Sequence, residues 1–242
     1  MAQIEFSVDD VIDIWKDLTK NADHYHSIFE NESMHWLKEM HKKSGIVITL
    51  FGFYECSGFD LTMMPECYKK EWMRNSDWLK IGFHGKNENS DYERIPRICK
   101  KDYQMFREQV IRFAGEPVLS DSIKLHRFAG TQDIATSIAL CEKRIHTWLC
   151  ADDFRKSYGM NVKQNACINA TGVLMIKDAA RAVCYRKTAF RVEALEIISL
   201  FKIIWYKRLA GNKVLFFFTH ECYMQDEKLR RKTDRLLRVM LG

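Results

Sequence analysis

Acids and histidines recur where apolar runs end. Asp9-Asp10 follow Ile4 to Ser7; His84 ends Trp78 to Phe83, with Glu88 four residues on; His126 ends Ser122 to Leu125; His220-Glu221 follow Val214 to Phe218. Asp, Glu and His are the ligand types of a hydrolytic divalent metal such as zinc. Adjacent carboxylates repel unless a cation or a shared proton neutralises one of them. A metal on one leaves the other free to take a proton from water, which is the division of labour that metal-assisted hydrolysis needs. The same pair also reads as a helix start, with Asp9 capping a helix near Val11. His84 and Glu88, four apart, share one face of a helical turn. A histidine titrating near its ordinary value of about 6.5 suits proton donation to a leaving group, which is the chemistry open to His220. Glu221 either orients that imidazole or begins the next loop.

The elements that must position these residues alternate. Strands are expected over Ile4–Ser7, Ile46–Tyr54, Trp78–Phe83, Ser122–Leu125, Ile145–Leu149 and Val214–Phe218, and a hairpin over Thr171–Ile176 and Ala182–Tyr185. Helices are expected over Val11–Leu18, Ser27–His41, Lys100–Phe113, Thr131–Glu142, Ala194–Lys207 and Gln225–Leu241. Cys56–Asn75 reads as a long loop with one turn of helix started by Pro65. Strand–helix alternation implies βα units and a largely parallel sheet. In a barrel of such units the strand C-termini converge on one face, which carries the chemistry. Among the other histidines, His35 and His41 sit on a charged helix and read as exposed. Phe51, Phe53, Tyr54, Trp72 and Trp78 read as core in preference to sugar-stacking platforms.

The 242 residues suit one large domain, 1–242, and 47% hydrophobic with 29% charged content is globular. The net charge of +6 is dispersed, its densest cluster interleaved along the expected last helix. No nucleic-acid reading element accompanies it. Val214–Phe218 is too short an apolar run to span a bilayer. Eight cysteines without a CxxC pair exclude a zinc ribbon. MAQIEFSVDD lacks a basic and an apolar leader region, so a cytoplasmic protein with reduced thiols is expected.

The succession FSVDD, ITLFGFYE, NSDWLKIGFHG, RFAG, KLHRF and FFFTHE, running from residue 6 to residue 221, resembles a divergent branch of the polysaccharide deacetylase family. The resemblance implies a distorted (β/α) barrel. It implies that Asp9 is the catalytic base, Asp10 a metal ligand and His220 the general acid. The family's second motif carries two histidines four apart on the metal; His84 matches the first, and Glu88 stands in place of the second. His126 occupies the neighbourhood of the family's third-motif arginine, as a replacement ligand. The implied reaction is metal-dependent removal of an acyl group from a carbohydrate or a related small amide, with zinc as the expected metal. The alternative is a non-catalytic barrel that binds a glycan or a protein through a degenerate site.

Overall fold

The computed structural model describes residues 4–177, 182–195 and 214–241. A five-stranded parallel sheet forms its centre. In spatial order it consists of β10 (Phe190–Arg191), β11 (Leu215–His220), β1 (Ile4–Val11), β2 (Val47–Phe53) and β5 (Leu79–Gly85). A second sheet orders β6 (Ser122–Ile123), β7 (Thr147–Cys150), β9 (Ala182–Lys187) and β8 (Val173–Lys177), of which only β8 runs antiparallel to its neighbour. A two-residue pair, β3 (Glu55–Cys56) with β4 (Phe59–Asp60), follows β2. The expected hairpin over 171–185 is therefore the β8–β9 pair.

Backbone hydrogen bonds tie the two sheets together at both margins. Ser120 N donates to Ile81 O at 2.9 Å beside β5, Thr188 N to Cys150 O at 3.0 Å, and Ala189 N to Phe216 O at 2.8 Å. The chain from β9 into β10 thus leaves β7 and joins β11. Between the sheets, Phe51 of β2, Leu149 of β7 and Phe216 of β11 form a small apolar cluster of their own. Gly82 makes room for it, because a Cβ there would collide with the Phe51 ring.

The helices cover the sheet as the apolar periodicity requires. Trp15 on α1 (Asp13–Lys20) packs against Trp72 on α3 (Lys69–Arg74) and Phe113 on α4 (Pro96–Phe113), with ring centroids 5.9 and 6.1 Å apart. Both tryptophans are fully buried, as are Phe51 and Phe53, so the core reading of the aromatics holds. α2 (Glu32–Ser44) ends at Gly45 in the left-handed region, φ 68°, which closes it as a C′ glycine does. α5 (Gln132–Cys141), α6 (Val162–Thr171) and α7 (Glu227–Leu241) complete the set.

Three expectations are corrected. α3 begins at Lys69, not at Pro65. His41 is part-buried: its ring stacks on Trp78 at 4.2 Å and its Nδ1 reaches Ile46 O. α1 begins at Asp13, so Asp9 is not its cap. The expected helix Ala194–Lys207 falls, beyond residue 195, outside the described residues. No helix among the described residues is long and apolar enough to cross a membrane, and all eight cysteines are free.

Candidate active site

The chemistry-bearing residues meet at the C-terminal ends of β1, β5 and β11, where two strands depart from regular pairing. In β1, Val8 pairs Leu50 and Val11 pairs Gly52, so β1 carries one extra residue across Asp9-Asp10. In β5, Phe83 pairs Gly52 and Gly85 pairs Phe53, so His84 is the extra residue there. Such bulges redirect side chains at strand ends. In an unbroken strand Asp9 and Asp10 would point to opposite faces. The bulge, with Asp10 held at φ 60°, turns both toward the site. Aspartate tolerates the left-handed region better than most residues, and an outlier held by its surroundings is a frequent mark of a functional position.

Asp10 faces three imidazoles. Its Oδ1 lies 3.0 Å from His84 Nε2 and 3.8 Å from His126 Nε2; its Oδ2 lies 4.0 Å from His220 Nε2. Each ring is held from its other nitrogen. His84 Nδ1 contacts Lys124 O at 2.5 Å, His126 Nδ1 contacts Glu88 O at 3.1 Å, and His220 Nδ1 contacts Glu193 Oε1 at 2.5 Å. A carbonyl or carboxylate can only accept, so each Nδ1 carries the proton. In the neutral rings the Nε2 lone pairs then point inward, toward Asp10.

Lone pairs facing a carboxylate require a cation between them or a second proton on a ring. Asp10 Oδ1 is buried without a directed hydrogen bond despite its 3.0 Å contact. Burial alone would push the Asp10 carboxyl up, but the close approach and charge of His84, with His126 and His220 behind it, pull it down to about 2. Burial, then the neighbouring His84, lowers His126 against the pull of Asp10, which keeps that ring neutral and its lone pair available. Among the described residues no three His, Cys, Asp or Glu side chains stand as a finished metal cage. The donor set nonetheless suits an ion: ligands at about 2.0–2.2 Å in a tetrahedron lie roughly 3.4 Å from one another, and 3.0 and 3.8 Å bracket that spacing.

Asp9 is 2% exposed and ion-paired to Lys124, which is fully buried, at 2.6 Å. The ammonium also sits 3.3 Å over the Phe218 ring centroid, so its contact with Asp9 is an ion pair and not an aligned hydrogen bond. Burial pushes Lys124 down from its usual value, and Asp9 is the largest opposing influence. Asp9 and His220 are register partners on adjacent strands. They stand side by side at the ends of β1 and β11. Burial disfavours the charged His220 ring, but Glu193, Asp9 and Asp10 outweigh it and raise its pKa above the ordinary value.

Glu88 stands apart from the carboxylate–imidazole group. It is exposed and borders a separate depression with Glu55, Cys56 and Asp60. It reaches the site only through the backbone carbonyl that holds His126. Glu221 begins the turn after β11 and does not orient His220: its buried carboxylate accepts from Ile12 N, Asp13 N and Ile14 N at 2.7–2.8 Å. It therefore caps α1 from the far end of the chain and fastens the turn after Asp10 to the turn after His220. Burial pushes its carboxyl up to about 7 against the pull of those three N–H groups.

Lys124 and Glu193 escaped sequence reading. A lysine in a short strand reads as surface. Glu193 follows the two-residue strand β10, which is too short to register as an apolar run.

Wider depressions lie elsewhere. One, between α4 and α5, is lined by charges that pair with one another, as Arg107 does with Glu142 at 2.6 Å. The narrower pocket at the strand ends is where Asp9, His84, His126 and His220 converge.

No family model matches the chain, and no curated protein matches it. Solved structures do. A protein from Mycobacterium smegmatis assigned as a polysaccharide deacetylase superposes with a TM-score of 0.54 at 11% identity, covering 98% of this chain and 84% of that one. A 4-alpha-glucanotransferase from Thermococcus litoralis gives 0.50 at 9% identity, covering 99% of this chain and 35% of that one. The chain thus shares the mixed α/β fold, with its parallel sheet, of these two proteins.

Proposed function

We propose that this protein is a metal-dependent hydrolase that removes an acyl group, such as acetyl, from a carbohydrate or a related amide, on a distorted (β/α) barrel. The barrel reading rests on the bonds that join the two sheets at both margins and on the interior cluster of Phe51, Leu149 and Phe216. The fold shared with a deacetylase-assigned protein agrees with it. Free thiols at all eight cysteines agree with a cytoplasmic setting.

One observation carries the function: three imidazoles, each protonated and fixed at Nδ1, turn Nε2 toward a single bulged carboxylate. Asp10, His84 and His126 are the residues that would hold a divalent cation, with zinc favoured by two imidazoles and a carboxylate. When bound, such an ion supplies Lewis acidity toward an acyl carbonyl and a water molecule. Asp9 takes the proton of the attacking water, while Lys124 fixes its second oxygen. His220 donates from Nε2 to the departing amine or alcohol. Glu193 holds that ring in the donating orientation and favours its charged form. In this reading His126, whose Nε2 lies 3.8 Å from Asp10 Oδ1, serves as the third ligand and Glu88 serves as none. A non-catalytic barrel that binds a glycan or a protein through this pocket is the second reading, and zinc content of the purified protein separates the two.

The test is release of acetate from N- and O-acetylated sugars by zinc-loaded protein. Turnover by the wild type and none by Asp9→Asn supports the reading. No turnover of any acylated sugar or amide by protein that retains zinc sinks it.

A further inference from the structure

The charges that ring the pocket are not equally engaged. Lys124 is committed to Asp9, and Arg155 grips Asp153 with bonds of 2.6–2.9 Å. Arg191 and Arg127 are different. Arg191, on β10, is the register partner of Phe218 and so lies one strand from His220 and two residues below it. Its Nε is buried with no hydrogen-bond acceptor, and Asp152 Oδ2 stands off at 3.9 Å. Arg127 directly follows His126. It is exposed, and no carboxylate among the described residues pairs with it. Its backbone sits at φ 55° and that of Phe128 at φ 57°, two successive non-glycine residues in the left-handed region. Both arginines line the same pocket as Asp9, His84 and His220.

A buried guanidinium nitrogen without an acceptor is costly, and backbone strain persists only where the surroundings hold it in place. A planar guanidinium fork matches a phosphate or carboxylate through two parallel bonds. We propose that the substrate is an acylated sugar bearing an anionic group, a phosphate or a carboxylate, which seats on Arg191 and Arg127 while the acyl group faces His84 and His220. The acyl part of this statement rests on the hydrolase reading above; the anion part stands on the arginines. Asp152 is the resident carboxylate that the incoming anion displaces from Arg191, which sets a threshold against neutral sugars.

The test is calorimetric binding, which requires no turnover. N-acetylglucosamine, N-acetylglucosamine 6-phosphate and N-acetylmuramic acid are titrated into the full chain at low salt. At least one charged sugar is expected to bind tenfold or more tighter than the neutral one, with a preference that shrinks as salt rises; which one binds tighter tells phosphate from carboxylate. Arg191→Gln should erase the preference. Arg127→Gln, at an exposed position that leaves the fold intact, should reduce it severalfold. Equal binding of charged and neutral sugars, a preference that survives both substitutions, or binding of none of the three overturns the proposal. If the preference holds but acetate is never released, the hydrolase reading fails and the anion seat stands. If neutral sugar is deacylated as well as charged sugar and Arg191→Gln changes nothing, the reverse is true.

Discussion

The two ends of the parallel sheet are both polar, yet they differ in how their polar groups are held. At the amino end, Glu5 of β1 shares a depression with Lys80, Asp121 and Arg144. Burial, then the nearby Asp121, pushes Glu5 up to about 7, with Arg186 opposing. The strands there keep regular register, Glu5 pairing Val47 on one side and Phe216 on the other. At the carboxyl end, two bulges and a left-handed Asp10 break that register, and three imidazoles are each locked by a second partner. A displaced carboxyl pKa occurs at both ends, so it does not by itself mark a site. Oriented lone pairs on a locally irregular backbone do.

The sharpest break of this comparison is Asp10→Ala or His84→Ala set against Glu5→Gln. On the proposed reading the first two should lose bound zinc and lower turnover by more than about 10³-fold, since a bound cation would supply both water activation and carbonyl polarisation. Glu5→Gln should leave both within twofold. Metal analysis and acetate release check all three, and loss of zinc from Glu5→Gln would erase the distinction between the ends.

His220→Ala should cost about 10²–10⁴-fold in turnover, the usual range for a general acid, while zinc content stays nearly unchanged. Because the His220 pKa is raised, its protonated form persists above 6.5, and activity should fall as pH climbs through the raised value. Glu193→Gln removes the principal cause of that elevation, so its alkaline limb should move to lower pH with a roughly tenfold slower rate. A pH profile that does not move would reduce Glu193 to a packing role.

Glu221→Gln tests the clamp between the turn after Asp10 and the turn after His220. A neutral amide loses the charge-assisted part of three backbone bonds, and a cost of about 1–3 kcal/mol in denaturant unfolding is expected. Unchanged stability would show that the capped turn holds without the carboxylate.

The smallest effect is expected at the amino end. Glu5 holds its proton more tightly folded than unfolded, so its favourable contribution is complete below about 4.5 and is lost as pH rises toward 7. Glu5→Gln is neutral throughout. Its melting temperature relative to wild type should therefore rise between pH 5 and pH 8, by a few degrees at most, given about 2–4 °C per kcal/mol at this size. A gain largest at pH 5 would reverse the assigned direction.

Period and composition made most of the fold legible. The strands that carry Asp9, His84 and His220 are long, apolar and β-branched or aromatic, and they stand within a few residues of their expected places. β10 was not legible, because two residues have no period, and Glu193 was lost with it. The family resemblance brought Asp10, His84 and His220 to one place, and the structure sets His126 Nε2 3.8 Å from Asp10 Oδ1 beside them. Glu88 was legible only as spacing; His84 lies in the extended strand β5 and not on a helical turn, and Glu88 is exposed in the turn beyond it. The role of Glu221 could not be read locally, since its partners lie more than two hundred residues away in the chain.

The most direct test of the central claim is a crystal of the zinc-soaked protein measured on both sides of the zinc absorption edge. The expected result is one strong anomalous peak about 2.0–2.2 Å from an Asp10 carboxylate oxygen, His84 Nε2 and His126 Nε2. A peak held by other residues, or none at Asp10 when zinc is bound in solution, would contradict the claim that these three side chains form the metal centre.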